Sequence, residues 1–240
     1  MSGHSHAANI AAKKAKTDAA KGKIFTKVGR EIAVAAKSNP DPDTNSKLAD
    51  AIAKAKAVNM PNENIKRCIA KAAGELSSDN YEELTYEGYG PAGSAVIIKT
   101  LTDNKNRTVD YVRTAMRKHG GSLGNAGCVS FTFSNLGVIV IERTADLDED
   151  TVMEYALEAG ADDFIAEDDA FVVYTAPSDF SAVRKELENK GLNFFEAQVE
   201  MVPQNKVTLS GDDLAKFERL LDALEDLDDV QNVYHNVDLD

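Results

Sequence analysis

The alternation of strand-like and helix-like periodicity between residues 138 and 202 restricts the fold of this chain more than any other feature. Apolar residues recur there at every second position, as in a strand, then at every third or fourth position, as in a helix, and the pattern then repeats. The predicted elements are a strand at 138–142, a helix at 148–159, strands at 163–166 and 171–174, a helix at 180–190 and a strand at 195–202. This β-α-β-β-α-β order is typical of a ferredoxin-like domain.

The segments on either side of this unit predict a second domain of the same kind, divided in two. Before it come predicted strands at 81–89, 95–101 and 128–133 and a helix at 106–119, and after it a strand at 206–209, a helix at 214–227 and a strand at 230–237. The trailing β-α-β lacks a partner half, which the β-α-β at 95–133 supplies. We therefore predict a discontinuous ferredoxin-like domain of residues 80–134 plus 205–240, interrupted by a ferredoxin-like domain of residues 135–204.

A basic arm and three short helices precede these domains. Residues 1–22 are polar and basic and carry no sustained apolar stripe, whereas 24–36, 48–55 and 65–72 each carry one apolar helical face. Helices this short bury such faces only against one another, which predicts a helical domain over residues 1–79. The predicted fold class is α+β, with an N-terminal three-helix domain followed by two ferredoxin-like α/β domains, one inserted in the other.

The charge of the chain is divided between its two ends. Residues 1–75 hold 14 Lys+Arg against 7 Asp+Glu, and residues 76–240 hold 13 against 33, within a net charge of -13. A basic head on an acidic body favours nucleic acid bound at one end only, because the body repels phosphate. A lysine-rich bundle that is merely well solvated would show the same pattern.

Nine cations are candidates for phosphate contacts. Up to Arg30 the arm and first helix are opposed only by Asp18, and they carry Lys13, Lys14, Lys16, Lys21, Lys23, Lys27 and Arg30. Lys105 and Arg107 open a helix at the end of a strand, where free backbone N–H groups could hold an anion. Ordinary N-capping explains that segment equally well. Arg113 and Arg117, four residues apart, predict a basic stripe on one helix face, for which plain solvent exposure is the alternative.

Other motifs predict no chemistry. Gly88–Gly93 matches G-x-G-x-x-G, but a strand follows instead of a helix, which indicates a hairpin connection rather than a dinucleotide site. Residues 146–157 resemble a calcium loop, yet the sixth position is Thr151 and the twelfth is Leu157. The two cysteines and four histidines show no metal-ligand spacing. We expect no enzymatic activity, cofactor, metal, small-molecule substrate or membrane segment, and a cytoplasmic location.

Six motifs, in order along the chain, resemble the YebC/PmpR family. They are Ser2–Ser5, the run from Asn9–Ile10 through Gly22–Lys27, Lys54–Ala57 with Asn59–Pro61, Tyr86–Pro91, Leu101–Asn104 with Asn106–Thr108, and Gly120–Gly124. The resemblance spans nearly the whole chain and implies a helical domain followed by two ferredoxin-like domains. It also implies a bacterial cytoplasmic protein described as a probable DNA-binding transcriptional regulator. Mitochondrial relatives look like translational activators, and bacterial members have been connected with ribosomes stalled on proline-rich sequences.

The arm departs from the family pattern at two positions. Where the family opens Gly-His-Ser-Lys-Trp-Ala-Asn-Ile, His6 replaces the lysine and Ala7 the tryptophan, in a chain without any tryptophan. A base stacked on an aromatic side chain contributes about 1–3 kcal/mol. If the arm of the family relies on this stacking, we expect the present arm to bind more weakly or by charge alone.

Two functions follow from these features. The first is a non-enzymatic, DNA-binding transcriptional regulator. The alternative is a ribosome-associated translation factor that relieves stalling, for example at proline-rich sequences. The physical argument leans toward the alternative, because the acidic body would be repelled by a long duplex, whereas a ribosome presents basic protein beside RNA. The predicted partner is therefore nucleic acid, either DNA or ribosomal RNA.

Overall fold

The computed structural model describes residues 21–74 and 80–239. The chain forms two compact units. One contains the chain up to Ala73 together with Asn135–Glu200, and the other contains Gly74–Ser134 together with Met201–Asp240. No helix in the described residues combines the length and the apolar character needed to cross a membrane.

Three helices form the N-terminal domain: α1 (Lys21–Ser38), α2 (Ser46–Ala57) and α3 (Asn62–Ala73). Helix α1 packs against both others. Asn45 caps α2, since its side-chain oxygen accepts a hydrogen bond from the backbone N–H of Leu48 at 3.2 Å. The three apolar faces meet in one core, in which Ile32, Leu48 and Ala55 are fully buried. The predicted helical domain is therefore present.

The inserted domain contains β4 (Phe133–Glu142), α5 (Glu149–Ala159), β5 (Asp163–Ala166), β6 (Ala170–Thr175), α6 (Phe180–Asn189) and β7 (Phe194–Pro203). Its sheet has the strand order β5-β6-β4-β7. Ile139 and Ile141 of β4 share a fully buried core with Phe171 and Val173 of β6, to which Val152 and other residues of the two helices contribute. This is the ferredoxin-like order that the periodicity predicted.

The second ferredoxin-like domain draws its elements from both sides of this insertion. They are β1 (Glu82–Tyr89), β2 (Ala95–Thr102), α4 (Lys105–Lys118), β3 (Ser122–Leu123), α7 (Gly211–Glu225) and β9 (Val230–His235), while β8 (Val207–Thr208) and β10 (Val237–Asp238) form a small separate sheet. The strand order is β3-β1-β2-β9. Ile97 of β2 lies opposite Tyr234 of β9 in an antiparallel pair, so the two halves close into one sheet. The strand predicted at 206–209 does not join this sheet: β8 pairs with β10 instead, and β1 takes a place in the four-stranded sheet. One ferredoxin-like domain is thus inserted in the other.

Strand β2 lies at the centre of this domain and is buried on both faces. Val96 and Ile98 contact the core formed with α4 and α7, whose largest buried members include Met116 and Phe217. Ile97, on the opposite face, belongs to a cluster with other residues of the same unit. An almost uninterrupted apolar strand is expected where both faces of a sheet are covered. The Gly88–Gly93 segment is the hairpin connection between β1 and β2 that the sequence predicted.

The prediction of a strand at residues 128–133 is wrong for most of that segment. Ser130–Thr132 form a 3₁₀ turn, and the strand starts only at Phe133. The reason is a carboxylate: Glu87 of β1 accepts hydrogen bonds from the backbone N–H groups of Gly127, Val129 and Ser130. Those groups are therefore not available for pairing with a neighbouring strand. The edge of the sheet is formed by the two-residue strand β3 instead.

Gly88 makes that edge possible. A Cβ atom at this position would collide with the backbone carbonyl oxygen of Ser122 in β3. Only glycine therefore allows β3 to approach β1 at this point. The domain boundaries at residues 79/80, 134/135 and 204/205 stay a prediction.

Candidate nucleic-acid interface

The first candidate surface is the solvent side of α1. Lys23, Lys27 and Arg30 are spaced by four and three residues, which places them on one face of the helix. The opposite face carries the buried residues Val28 and Ile32. Lys23 is exposed, and Lys27 and Arg30 are partly exposed. We call these three residues the α1 stripe.

Of the remaining cations of the predicted arm, Lys21 is the one within the described residues. Lys13, Lys14 and Lys16 lie outside the described residues, as do His6 and Ala7. Lys21 is the first residue of α1. The contacts of these four lysines with nucleic acid stay a prediction.

The rest of the helical domain has the same sign of charge. Residues 21–74 contain 11 Lys+Arg and 5 Asp+Glu. One of the acids, Glu31, is paired with Lys54 at 2.8 Å, and another, Glu63, with Lys66 at 3.5 Å. Lys37, Arg67 and other cations on the three helices are exposed. The domain therefore presents positive charge well beyond the α1 stripe, which attracts polyanions over several ångströms.

A cleft of about 210 Å³ lies between α1 and α3, lined by Phe25, Thr26, Met60, Asn64, Arg67 and Cys68. This volume is below the roughly 300–1,000 Å³ of usual ligand pockets. Burial raises the pKa of the Cys68 thiol, against the opposing effect of Lys71 and Arg67. The thiol is therefore protonated at neutral pH and is not a nucleophile.

The segment Asp103–Thr108 contains the other two predicted cations. Asn104 caps α4 by accepting from the backbone N–H of Arg107 at 3.1 Å, as the capping alternative required. The Arg107 guanidinium is held by Asp229, at 2.8 Å, and by Asp103, also at 2.8 Å. The hydrogen bonds to Asp229, which have the larger effect, and to Asp103 raise the pKa of Arg107. Arg107 is thus engaged with two carboxylates, whereas Lys105 is exposed.

A second basic surface was only partly recognised from the sequence. Helix α4 exposes Arg113, Arg117 and Lys118, and the loop after it leads to Phe131, whose side chain is 72% exposed. Sequence reasoning noted the two arginines but not the aromatic residue. The signal that would have found this surface is the absence of any Asp or Glu from residues 111–141, in a chain with 40 of them. Within the described residues, no three His, Cys, Asp or Glu side chains are grouped as a metal site.

The fold and these surfaces define a class of protein: an α+β chain in which a basic helical domain precedes two nested ferredoxin-like domains. Two family models match it. Residues 5–75 match the TACO1/YebC protein N-terminal domain, and residues 81–237 match the TACO1/YebC second and third domain. The chain belongs to the TACO1/YebC family, which confirms the resemblance stated above.

Individual relatives agree with this assignment. A protein of Acetivibrio thermocellus is 60% identical over 238 residues, which are 98% of each chain, and one of Hathewaya histolytica is 56% identical over 99% of this chain and 97% of its own. Both are named probable transcriptional regulatory proteins. The crystal structure of a conserved hypothetical protein from Aquifex aeolicus is similar with a TM-score of 0.82, at 42% identity and 93% coverage of each chain.

Proposed function

We propose that this protein is a non-enzymatic regulator of gene expression that binds nucleic acid through its N-terminal domain. The observation that carries the proposal is the α1 stripe of Lys23, Lys27 and Arg30, which lies opposite the core on a domain with 11 cations against 5 acids. In a chain of net charge -13, this domain is the part that attracts phosphate. The regulatory names of the relatives support the proposal.

The contacts of the stripe are of a particular kind. Lysine and arginine side chains on a helix surface neutralise backbone phosphates and set the orientation of the protein, but they do not read bases. We assign the same role to Lys13, Lys14, Lys16 and Lys21 ahead of the stripe, and to Lys105. Arg107 contributes indirectly, because its ion pairs hold the start of α4, from which Lys105 projects.

Two nucleic acids fit this description. DNA is the partner that the relatives' names suggest, and a transcriptional regulator is the first candidate. A ribosome-associated translation factor is the second, favoured by the 33 acids against 13 cations in residues 76–240. A long duplex would repel such a body, whereas ribosomal RNA lies beside basic proteins that would attract it.

The first test is a pair of triple variants. Lys23→Ala/Lys27→Ala/Arg30→Ala removes the stripe, and the control Lys185→Ala/Lys206→Ala/Lys216→Ala removes three exposed cations from the other domains. Fluorescence anisotropy with a 20-base-pair DNA duplex and with a structured RNA should show weakened binding for the stripe variant alone. Equal losses in both variants would mean that net charge, rather than this surface, governs binding.

The second test separates the two candidate functions. Crosslinking in cells, followed by sequencing of the nucleic acid attached to residues 1–37, should recover ribosomal RNA from a translation factor and promoter DNA from a transcriptional regulator. Recovery of neither above the level of the stripe variant would contradict the proposed function as a whole.

A further inference from the structure

We propose that the cleft between α1 and α3 binds one unpaired base of a single-stranded RNA whose phosphates lie on the α1 stripe. The residues that line this cleft are Phe25 and Thr26 of α1, Met60, and Asn64, Arg67 and Cys68 of α3. This inference rests on the proposed function and names the class of nucleic acid that the same site recognises. It adds the recognition of a base to contacts that by themselves hold only phosphates.

The cleft lies beside the α1 stripe. Thr26, which lines it, follows Lys23 by three residues and precedes Arg30 by four, so the three side chains are neighbours on the surface of α1. Arg67, on the α3 side of the cleft, is exposed and forms no ion pair with any residue in the described part of the chain. Cations therefore lie on both sides of the cleft, where they can hold the phosphates that flank an inserted base.

The lining of the cleft provides a ring and a hydrogen-bonding group. Phe25 packs against the helical core but stays partly exposed, and any base can stack on such a ring. The half-buried Asn64 amide forms no hydrogen bond with other residues that the structure describes. An amide can donate to and accept from the edge of a base at the same time. The cleft thus offers the two contacts by which proteins usually bind an unstacked base.

The cleft exists before any ligand binds, because it lies between two packed helices. Gly29 of α1 faces Cys68 of α3, and a Cβ atom on Gly29 would lie 3.2 Å from the Cys68 sulfur. Glycine therefore allows the two helices to approach closely at this point. Met60 and Ile65, which are next to or among the lining residues in the sequence, are buried in the helical core. A preformed site lowers the entropy cost of binding, since few groups must be ordered.

The size of the cleft favours one base of a polymer over a free small molecule. Its volume of about 210 Å³ is below that of pockets that enclose a whole small molecule. A nucleic acid that is already held by the α1 stripe needs to insert only one base. The bases of a duplex are paired and stacked, so a single strand or the loop of a folded RNA supplies that base.

Wild-type protein tests the inference with three RNAs that have the same number of nucleotides. They are a hairpin with an unpaired loop, the same hairpin with abasic nucleotides in its loop, and a fully paired duplex. The abasic hairpin keeps every phosphate and lacks only the bases that would enter the cleft. By fluorescence anisotropy, the intact hairpin should bind about 5- to 150-fold more tightly than the other two RNAs, which is the effect of one stacked base. Equal affinity of the intact and abasic hairpins would overturn the inference.

Two variants assign the difference between the hairpins to the cleft. Phe25→Leu keeps an apolar side chain against the core but removes the ring, and Asn64→Ala removes the amide. Each variant should bring the affinity of the intact hairpin close to that of the abasic hairpin. The control Lys66→Ala removes an exposed cation of α3 that does not line the cleft, and it should preserve the difference. If neither cleft variant changes the difference, the base binds elsewhere and the inference fails.

The cysteines provide a second measurement that needs no substitution. Cys68 lines the cleft, whereas Cys128, the other cysteine of the chain, belongs to the second unit. Alkylation by N-ethylmaleimide, followed by mass spectrometry, should largely disappear at Cys68 in the presence of saturating intact hairpin and continue at Cys128. Equal protection of Cys68 by the saturating abasic hairpin would mean that no base enters the cleft.

The stripe variant Lys23→Ala/Lys27→Ala/Arg30→Ala separates this inference from the proposed function. It should weaken the binding of all three RNAs, because each of them carries phosphates. If it does so while the wild type binds the intact and abasic hairpins equally, the cleft is refuted and the proposed function stands. If it binds all three RNAs as the wild type does, the proposed function fails, and a persisting difference between the hairpins still assigns the base to the cleft.

Discussion

The guanidinium of Arg107 binds the carboxylate of Asp229, which lies in the other half of the discontinuous domain: Nη2 lies 2.8 Å from Oδ2 and 3.1 Å from Oδ1, and Nε lies 3.3 Å from Oδ2. The same carboxylate accepts from the Thr108 hydroxyl at 2.8 Å and from the Thr102 hydroxyl at 3.3 Å. Only 8% of the Asp229 side chain is exposed. One carboxylate from the second half of the discontinuous domain therefore joins β2 and α4 of the first half.

We predict that Asp229→Asn lowers the free energy of unfolding by about 1.5–3 kcal/mol, because it removes the charge-assisted hydrogen bonds to the less exposed of the two carboxylates that hold Arg107 and leaves only Asp103 as a counter-ion. Urea denaturation measures the change. Glu218→Gln, on the exposed side of α7, is the control and should change the free energy by less than about 0.5 kcal/mol. Equal stability of the two variants would show that the pair does not hold the halves together.

Glu87 should make the stability of the second unit depend on pH. Burial alone would raise the pKa of Glu87, but the hydrogen bonds from Val129, Gly127 and Ser130 outweigh it and lower the pKa below the usual 4.5. The unfolded chain therefore takes up the proton first as the pH falls, so the stabilisation is complete above the unfolded value of 4.5 and is lost through the lower folded pKa.

The corresponding variant is Glu87→Gln. It should lower the free energy of unfolding by about 1–3 kcal/mol at neutral pH, since one amide cannot accept all three hydrogen bonds. The difference from the wild type should shrink as urea titrations are repeated at lower pH. A difference that stays constant down to about pH 3 would contradict the assigned role of the carboxylate.

Arg184 is predicted to hold the bundle on the inserted domain within the first unit. Its Nε lies 2.9 Å from Oδ1 of Asp50 in α2, its Nη1 lies 2.9 Å from Glu188, and its side chain is 6% exposed. The Ser181 hydroxyl donates to the same Asp50 carboxylate. Arg184→Ala should lower the free energy of unfolding by about 2–4 kcal/mol, because it leaves the Asp50 carboxylate without a counter-ion.

Hydrogen exchange locates this effect. Amides of α2 and α6 should exchange faster in Arg184→Ala, whereas the control Lys185→Ala, at the exposed neighbouring position, should leave them unchanged. Faster exchange confined to α6 would mean that Arg184 stabilises its own helix only.

Tyr174 should titrate unusually late. Burial, followed by the charges of Glu167, Glu200 and Asp163, raises the pKa of Tyr174 to about 12. Because an unfolded tyrosine loses its proton near pH 10, the folded state holds the proton longer and stability falls as the pH rises above that value. The absorbance titration of the wild type minus that of Tyr174→Phe should show one step near 12. A step near 10 would contradict the burial of the phenol.

Salt dependence tests the α1 stripe. The slope of log affinity against log salt should be smaller by about 2.7 for duplex DNA in Lys23→Ala/Lys27→Ala/Arg30→Ala, because each neutralised phosphate contributes about 0.9. The control triple variant at Lys185, Lys206 and Lys216 should keep the wild-type slope. An unchanged slope in the stripe variant would remove these side chains from the interface.

Much of the fold was predictable because each element follows a local rule. The periodicity at 138–202 predicted all six elements of the inserted domain, and N-capping, one of the two readings of the segment around Lys105 and Arg107, is what the structure shows at Asn104. The failure at residues 128–133 has a different origin. That segment has the composition of a strand. However, the carboxylate of Glu87, some 40 residues earlier, accepts hydrogen bonds from its backbone N–H groups, which are then not available for strand pairing.

The candidate surfaces show the same division. The positive charge of the helical domain is visible in its composition, and the spacing of Lys23, Lys27 and Arg30 predicts a common face. For Arg107 the sequence left anion binding and capping open. Only the tertiary structure places Asp229 beside its guanidinium, since that contact joins residues 122 positions apart.

The sequence by itself determined the α+β class, the order of elements, the nesting of the two ferredoxin-like domains and the basic character of the N-terminal domain, since periodicity and charge are local properties. The tertiary structure decided which cations are exposed and which are paired, and it decided that Phe131 stands exposed on a loop held by Glu87. These facts depend on contacts between residues that are far apart in the sequence. Such a contact forms only after the intervening chain has closed into a loop, so no local sequence pattern predicts it.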